Sequence, residues 1–170
     1  MTRVLLKRFS LKLKTLLFFI LFLLCSCSEP ADFLDTDGIA YRYSEMKGKW
    51  QVINYWATWC APCLREIPEL IRLDENNENV LVFGVNFDKP KESEVLKEIE
   101  KMGITFPVYQ VDPYLNLGIP RPKVLPTTIL VNPAGDVSDV LVGPQTEASL
   151  LSLMNINKSP SLKKIKSQSP

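Results

Sequence analysis

Two runs of this chain are too apolar to alternate. Gln51 to Trp56 (QVINYW) and Val80 to Phe87 (VLVFGVNF) are rich in β-formers and polar at few positions. Such runs need cover on both faces, so each reads as an interior strand. Between them Leu64, Ile67, Leu70, Ile71 and Leu73 recur at helical spacing. Pro62 suits the first helical turn, where a missing N–H costs nothing. Pro68 lies inside the pattern and predicts a kink, and Asn76-Asn77 closes it. Strand, helix, strand in that order calls for parallel pairing.

The rest of the chain extends this unit. Lys89 to Met102 reads as a charged amphipathic helix with Val95, Leu96, Ile99 and Met102 inward, stopped by Gly103. Phe106 to Gln110 reads as a short strand. Residues 111–126, with Pro113, Pro120, Pro122 and Pro126, read as an irregular loop. Thr127 to Val131 and Val137 to Val142 flank the turn Asn132-Pro133-Ala134-Gly135 and pair as a hairpin, and Glu147 to Met154 forms a last helix. The fold class is α/β: a mixed sheet with helices on both faces. At 170 residues and 46% apolar composition, one domain with a real core is expected.

Charge is segregated. Residues 1–26 hold five basic groups and no acid, and residues 155–170 hold Lys158, Lys163, Lys164 and Lys166 and no acid. Eleven basic residues then face nineteen acidic ones in between. An acidic body is a poor partner for a phosphate backbone, so nucleic-acid binding is not expected. The chain has no His, which removes Ser-His and Cys-His catalysis and the commonest metal ligand.

Lys12 and Lys14 precede an unbroken apolar run, Leu16 to Cys25. Ten residues rise about 15 Å as a helix, half of a hydrocarbon core, so the run reads as an export signal. Leu24-Cys25-Ser26-Cys27 resembles a bacterial lipobox, with Leu three before the cysteine and a small residue just before it. The resemblance implies cleavage before Cys27 and acyl chains on it, which would hold the protein at a membrane surface facing the periplasm or cell exterior. An ordinary signal peptide and an uncleaved anchor remain as alternatives. The expected organisation is a signal peptide over 1–26, a tether over 27–39, the folded domain over 40–154 and a disordered basic tail over 155–170.

An exported chain can form disulfides, and the mature chain keeps two candidate thiols, Cys60 and Cys63, in Trp59-Cys60-Ala61-Pro62-Cys63. A structural staple closing so short a loop would gain only about 2 kcal/mol. A zinc site needs about four ligands, and no other mature Cys and no His exist to complete it. That favours a redox dithiol. Its place after a buried strand, at the start of a helix, stabilises a thiolate through unpaired N–H groups and the helix dipole.

These residues resemble the thioredoxin superfamily, and within it the membrane-tethered TlpA/ResA-type thiol-disulfide oxidoreductases. The resemblance spans roughly 40–154 and is strongest in VINYWATWCAPCLREIPEL (52–70) and VLPTTILVNPAGDV (124–137). It implies a thioredoxin-like fold, a cis Leu125-Pro126 bond facing the dithiol, and a substrate strand pairing with the backbone of Leu125. A plain strand-entry proline is the alternative. Many thioredoxins carry a buried Asp six residues before the first cysteine; here that position is Asn54, which cannot accept a proton. Glu66, one helical turn after Cys63, stands where this type has a Glu, and would take the proton of Cys63. The alternative is a solvated Glu66 paired with Arg65 or nearby Lys. Trp59 either covers the dithiol and touches substrates or packs as core. Arg121 and Lys123 either steer an acidic partner and favour the thiolate or are simply solvated.

The resemblance further implies a reductant of protein disulfides, with apocytochrome c thiols during cytochrome c maturation among its substrates. A membrane electron donor of the DsbD/CcdA kind would re-reduce it. No cofactor or metal is called for. Two other readings stay open: a copper-delivery lipoprotein on the same fold, which would want Met or His near the cysteines, and a non-enzymatic lipoprotein with an inert staple. A peroxidase would want Thr three residues before a lone cysteine, and that pattern is absent.

Overall fold

The computed structural model describes residues 30–155. The expected signal peptide, Cys27 and the basic tail beyond Asn155 lie outside those residues. The elements are β1 (Phe33–Leu34), β2 (Ala40–Tyr41), α1 (Tyr43–Met46), β3 (Trp50–Trp56), α2 (Ala61–Asn76), β4 (Val80–Asn86), α3 (Glu92–Met102), a 3-10 turn (Pro113–Leu115), β5 (Thr127–Val131), β6 (Val137–Val142) and α4 (Glu147–Leu153).

The main sheet has the order β4-β3-β5-β6. β3 and β4 are parallel, joined through α2, while β5 pairs antiparallel with both β3 and β6. The mixed sheet follows from connection length: the 132–136 turn can only reverse the chain, whereas α2 carries it back for a parallel return. β3 is interior, which explains its lack of alternation. Val52 and Trp56 pack with Ile67, Leu70 and Leu73 of α2 and with Leu150 and Leu151 of α4. Ile53 and Tyr55 point the other way, to Phe83, Val85, Ile129 and Met46.

Helical cover is unequal on the two faces. Ile99 and Met102 of α3 join the same cluster as α2 and α4. The opposite face is covered by the four-residue α1, the β1–β2 hairpin and residues 117–119 after the 3-10 turn. The folded body thus reaches back into the stretch expected as tether. Phe33 stacks on Tyr41 and Tyr109 (ring centroids 5.0 and 4.2 Å) and meets Phe83 edge-on. Buried Asp35 closes the turn, accepting from the N–H groups of Asp37 and Ile39 and from the Tyr41 hydroxyl. Two-residue strands carry no periodicity, so this hairpin left no pattern to read.

Two further boundaries differ. α3 starts at Glu92 rather than Lys89, because Lys89 has a positive φ (52°) and Pro90 follows it. Residues 106–110 form no strand but two isolated bridges, Gly84 with Val108 and Asp35 with Tyr109, which tie the hairpin to the edge of β4. Pro68 lies exposed on α2, which runs through it to Asn76. Gly103 caps α3 in the left-handed region, as its position predicts.

Gly84 is required by close packing. A Cβ there would lie 2.8 Å from Trp56 Nε1, 3.0 Å from Val108 Cγ2 and 3.2 Å from Phe106 Cε2. Gly84→Ala is expected to destabilise the protein by about 1–3 kcal/mol, the overpacking cost exceeding the gain in strand propensity. A lower urea midpoint at unchanged slope would show it; an unchanged midpoint would mean that Trp56 and Phe106 yield freely.

Candidate active site

β3 ends at Trp56, and Cys60 follows as the N-cap of α2 in extended conformation, its own N–H donating to the Ala57 carbonyl. Pro62 sits in the first turn, where no bond is lost. Cys60 and Cys63 are joined as a disulfide, with Cα atoms 5.3 Å apart. The Cys63 N–H donates to Cys60 Sγ at 3.2 Å. A helix N-terminus thus directs an amide at this sulfur, the arrangement that favours a thiolate once the bond is reduced. The two sulfurs are not equivalent: Cys60 retains 4% exposure and Cys63 none. An incoming disulfide meets Cys60 first.

Trp59 is 63% exposed, so it is a surface residue and not core. Its indole N–H donates to Asp88 Oδ2 at 2.8 Å, and its ring stands edge-on to Phe87. The Leu125-Pro126 bond is cis. Thr127 pairs with Tyr55, which sets Pro126 at the end of β3 from which the Cys60 loop departs. The Pro126 carbonyl accepts from Gly143 N–H, and that of Val124 accepts from the Thr127 hydroxyl. Half-buried Leu125 packs on the cluster that contains both cysteines.

Glu66 is not a solvated residue. It is 1% exposed and packed beneath the sheet face of α2. Asn54 Nδ2 donates to its Oε2 at 3.0 Å, while Gln145 N–H (2.9 Å) and Thr128 Oγ1 (3.3 Å) donate to its Oε1. Burial pushes the carboxyl above its ordinary value, and the three donors oppose that push without cancelling it. Arg65, its suggested partner, reaches the Ala61 carbonyl instead. Asn54 cannot accept a proton, but it donates to the group that can. Thr128 and the Gln145 amide left no local signal, since they reach Glu66 only through the β3–β5 pairing and the turn before α4.

Arg121 is half-buried and paired within the fold. Its Nε–H donates to Asp112 Oδ2 at 2.7 Å, its NH2 donates to the Phe87 carbonyl at 2.6 Å, and its guanidinium lies 4.5 Å from the centre of the Phe87 ring. Asp112 also accepts from the Tyr55 hydroxyl at 2.7 Å and faces Lys89 Nζ at 3.3 Å. Burial pushes the Asp112 carboxyl up, but the bonds from Tyr55, Arg121 and Lys89 outweigh it and hold it below the usual range. This cluster fastens the 111–126 loop, which leads into the cis proline, to β3 and to the Phe87–Lys89 segment that seats Trp59. Lys123 is exposed. Among the described residues no three His, Cys, Asp or Glu side chains group as a metal site, and no helix is long and apolar enough to cross a membrane.

A family model described as the AhpC/TSA family matches residues 27–140. The chain belongs to that family. Among its relatives is the thiol-disulfide oxidoreductase ResA of Geobacillus kaustophilus, 36% identical over 129 residues that cover 72% of each chain. ResA of Bacillus subtilis is 33% identical over 126 residues, covering 73% of this chain and 70% of its own. Among solved structures, a thioredoxin-family thiol:disulfide interchange protein from Chlorobium tepidum superposes with a TM-score of 0.60 at 25% identity, covering 76% of this chain and 97% of its own. The thioredoxin-like fold of this AhpC/TSA member and its activity as a ResA-type thiol-disulfide oxidoreductase follow. So does a substrate class of disulfide-containing proteins, and Cys60–Cys63 is a pair at disulfide distance that suits that chemistry.

Proposed function

We propose that the chain is an extracytoplasmic reductant of protein disulfides, held at a membrane surface by acyl chains on Cys27. The observation that carries the redox step is the unequal burial of two bonded sulfurs at a helix start, with a buried carboxyl one turn further along. In the reduced enzyme, the Cys60 thiolate attacks a substrate disulfide. One substrate sulfur leaves as a thiolate and a mixed disulfide forms with the other. Cys63 then gives its proton to Glu66 and attacks Cys60 Sγ, and the second substrate sulfur leaves. Two electrons pass to the substrate, and the enzyme is left with the Cys60–Cys63 bond.

Leu125 and Pro126 would receive the substrate as an added strand. Among the described residues no turn or loop hydrogen bond engages the backbone of Leu125, which supports this reading. Exposed Trp59 would cover the incoming segment. The absence of His near the dithiol and the Ala61-Pro62 pair favour reduction over oxidation. A membrane donor of the DsbD/CcdA kind would restore the dithiol, and apocytochrome c thiols are the leading substrate class. Trapping with Cys63→Ser in the native cell tests the substrate assignment, with exported cysteine-pair proteins expected in the adducts and cytoplasmic proteins alone contradicting it.

Glu66→Gln removes the proton acceptor. Insulin reduction is expected to slow by about tenfold to a hundredfold at neutral pH. The sign of the pH effect follows from the raised carboxyl: the wild-type enzyme loses its base as pH falls through the raised Glu66 value. The variant has no such limb. An unchanged pH–rate profile would place the proton elsewhere.

A further inference from the structure

Asn54 lies fully buried at the middle of β3, paired in register with Thr128 on one side and Gly84 on the other. Its amide nitrogen donates twice, to Glu66 Oε2 and to Thr128 Oγ1, each at 3.0 Å. Thr128 passes its own hydrogen to Glu66 Oε1. The Asn54 oxygen is buried without a partner. The amide is therefore oriented by what its nitrogen donates to, not by what its oxygen receives, and an orphaned acceptor is tolerated to keep both donor bonds.

The groups that face Glu66 from its neighbours are uncharged: Asn54 from β3, Thr128 from β5 and the Gln145 amide from the 143–146 turn. β4 contributes Val80 and Val82 to the surrounding cluster, and α4 contributes Leu150 and Leu151. On α2 itself, Cys63 stands one turn before and Glu69 one turn after, the latter held by Arg72 and the Glu147 N–H. α3 sends only Ile99 and Met102 into that cluster. Among the described residues no cation stabilises this carboxylate, so neutral donors must do so, and Asn54 is the one that holds Oε2. An amide also does not gain or lose a proton near neutral pH, which leaves Glu66 as the carrier.

We propose that Asn54 is the positioning residue of the proton step: it anchors Glu66 on the Cys63 side of α2 and sets the pH above which Cys63 resolves the mixed disulfide. This rests on the reading of Glu66 as proton acceptor.

The direct test titrates Glu66 by carboxyl ¹³C NMR in the oxidised protein, where neither cysteine titrates, with Glu66→Gln used for assignment. Losing a hydrogen bond to a charged group is expected to raise the Glu66 midpoint by about one pH unit in Asn54→Leu. Thr128→Val removes a second donor and is expected to raise it by less; it carries the test if Asn54→Leu does not fold. The kinetic counterpart mixes reduced protein with 5,5′-dithiobis(2-nitrobenzoate) and follows the second thiol release, which reports Cys63. Its acid limb is expected to move up by the same pH unit in Asn54→Leu. A Glu66 midpoint unmoved in the folded variants overturns the role of Asn54. A second release indifferent to Glu66→Gln overturns instead the proton step beneath it.

Discussion

Cys60→Ser is expected to reduce insulin-disulfide reduction to background, whereas Cys63→Ser is expected to stop the cycle one step later. The difference follows from burial. Cys60 caps α2 and keeps the only exposed edge of the pair, so no other thiol meets the substrate when it is lost. Without Cys63 the attack of Cys60 still occurs, but among the described residues no second cysteine is left to displace the substrate. The variant should accumulate a one-to-one mixed disulfide, stable to gel analysis without reductant and released by dithiothreitol. Full turnover by either single variant would contradict the two-step exchange, and adducts forming on Cys60→Ser through Cys63 would invert the assignment.

Asp112→Ala is expected to have the largest effect on stability, about 3 kcal/mol at pH 7. The carboxylate is nearly inaccessible and accepts from Tyr55 and Arg121 while facing Lys89. Removing it leaves the buried Tyr55 hydroxyl without a partner and a half-buried guanidinium with only the Phe87 carbonyl and ring, the costly way to break such a cluster. The pH dependence has a definite sign. The folded carboxyl is held below its ordinary value, so its contribution is complete above about pH 4, the value in an unfolded chain, and is lost as pH falls through the folded value. The gap between wild type and variant in urea melts should therefore be widest at neutral pH and narrow in acid. The same residue fastens the loop that carries Leu125 and Pro126, so KM for a protein substrate should rise more than kcat falls. A gap independent of pH would show that the charge of Asp112 does nothing beyond filling space.

The parts of the fold that were legible in sequence are those written in local pattern. β3 and β4 announced themselves as apolar runs, α2 by its spacing, and Gly103 by the end it imposes on α3. The dithiol was legible because strand, cysteine pair and helix are contiguous. Glu66 was legible from its spacing, one turn past Cys63, together with the family resemblance, but its full burial was not. Thr128 and Gln145 lie 62 and 79 positions away from it, and only the sheet order brings them in. Arg121 misled because neither of its pairings follows a local period: Asp112 lies nine positions back in the same loop, and the Phe87 carbonyl lies at the far end of the strand read over 80–87. The β1–β2 hairpin was hidden because each strand is two residues long, and its hold on the body comes from ring packing and from Asp35.

The central claim is that Cys60 is the sulfur kept ionised, through its place at the helix start and the Cys63 N–H aimed at it. Reduced protein pulsed with iodoacetamide between pH 5 and 10, with each alkylated cysteine located by mass spectrometry, tests this directly. Modification of Cys60 alone, with a midpoint below about 7.5 against about 8.5 for an ordinary cysteine, is the predicted result. A midpoint at the ordinary value, or Cys63 alkylated first, would contradict it.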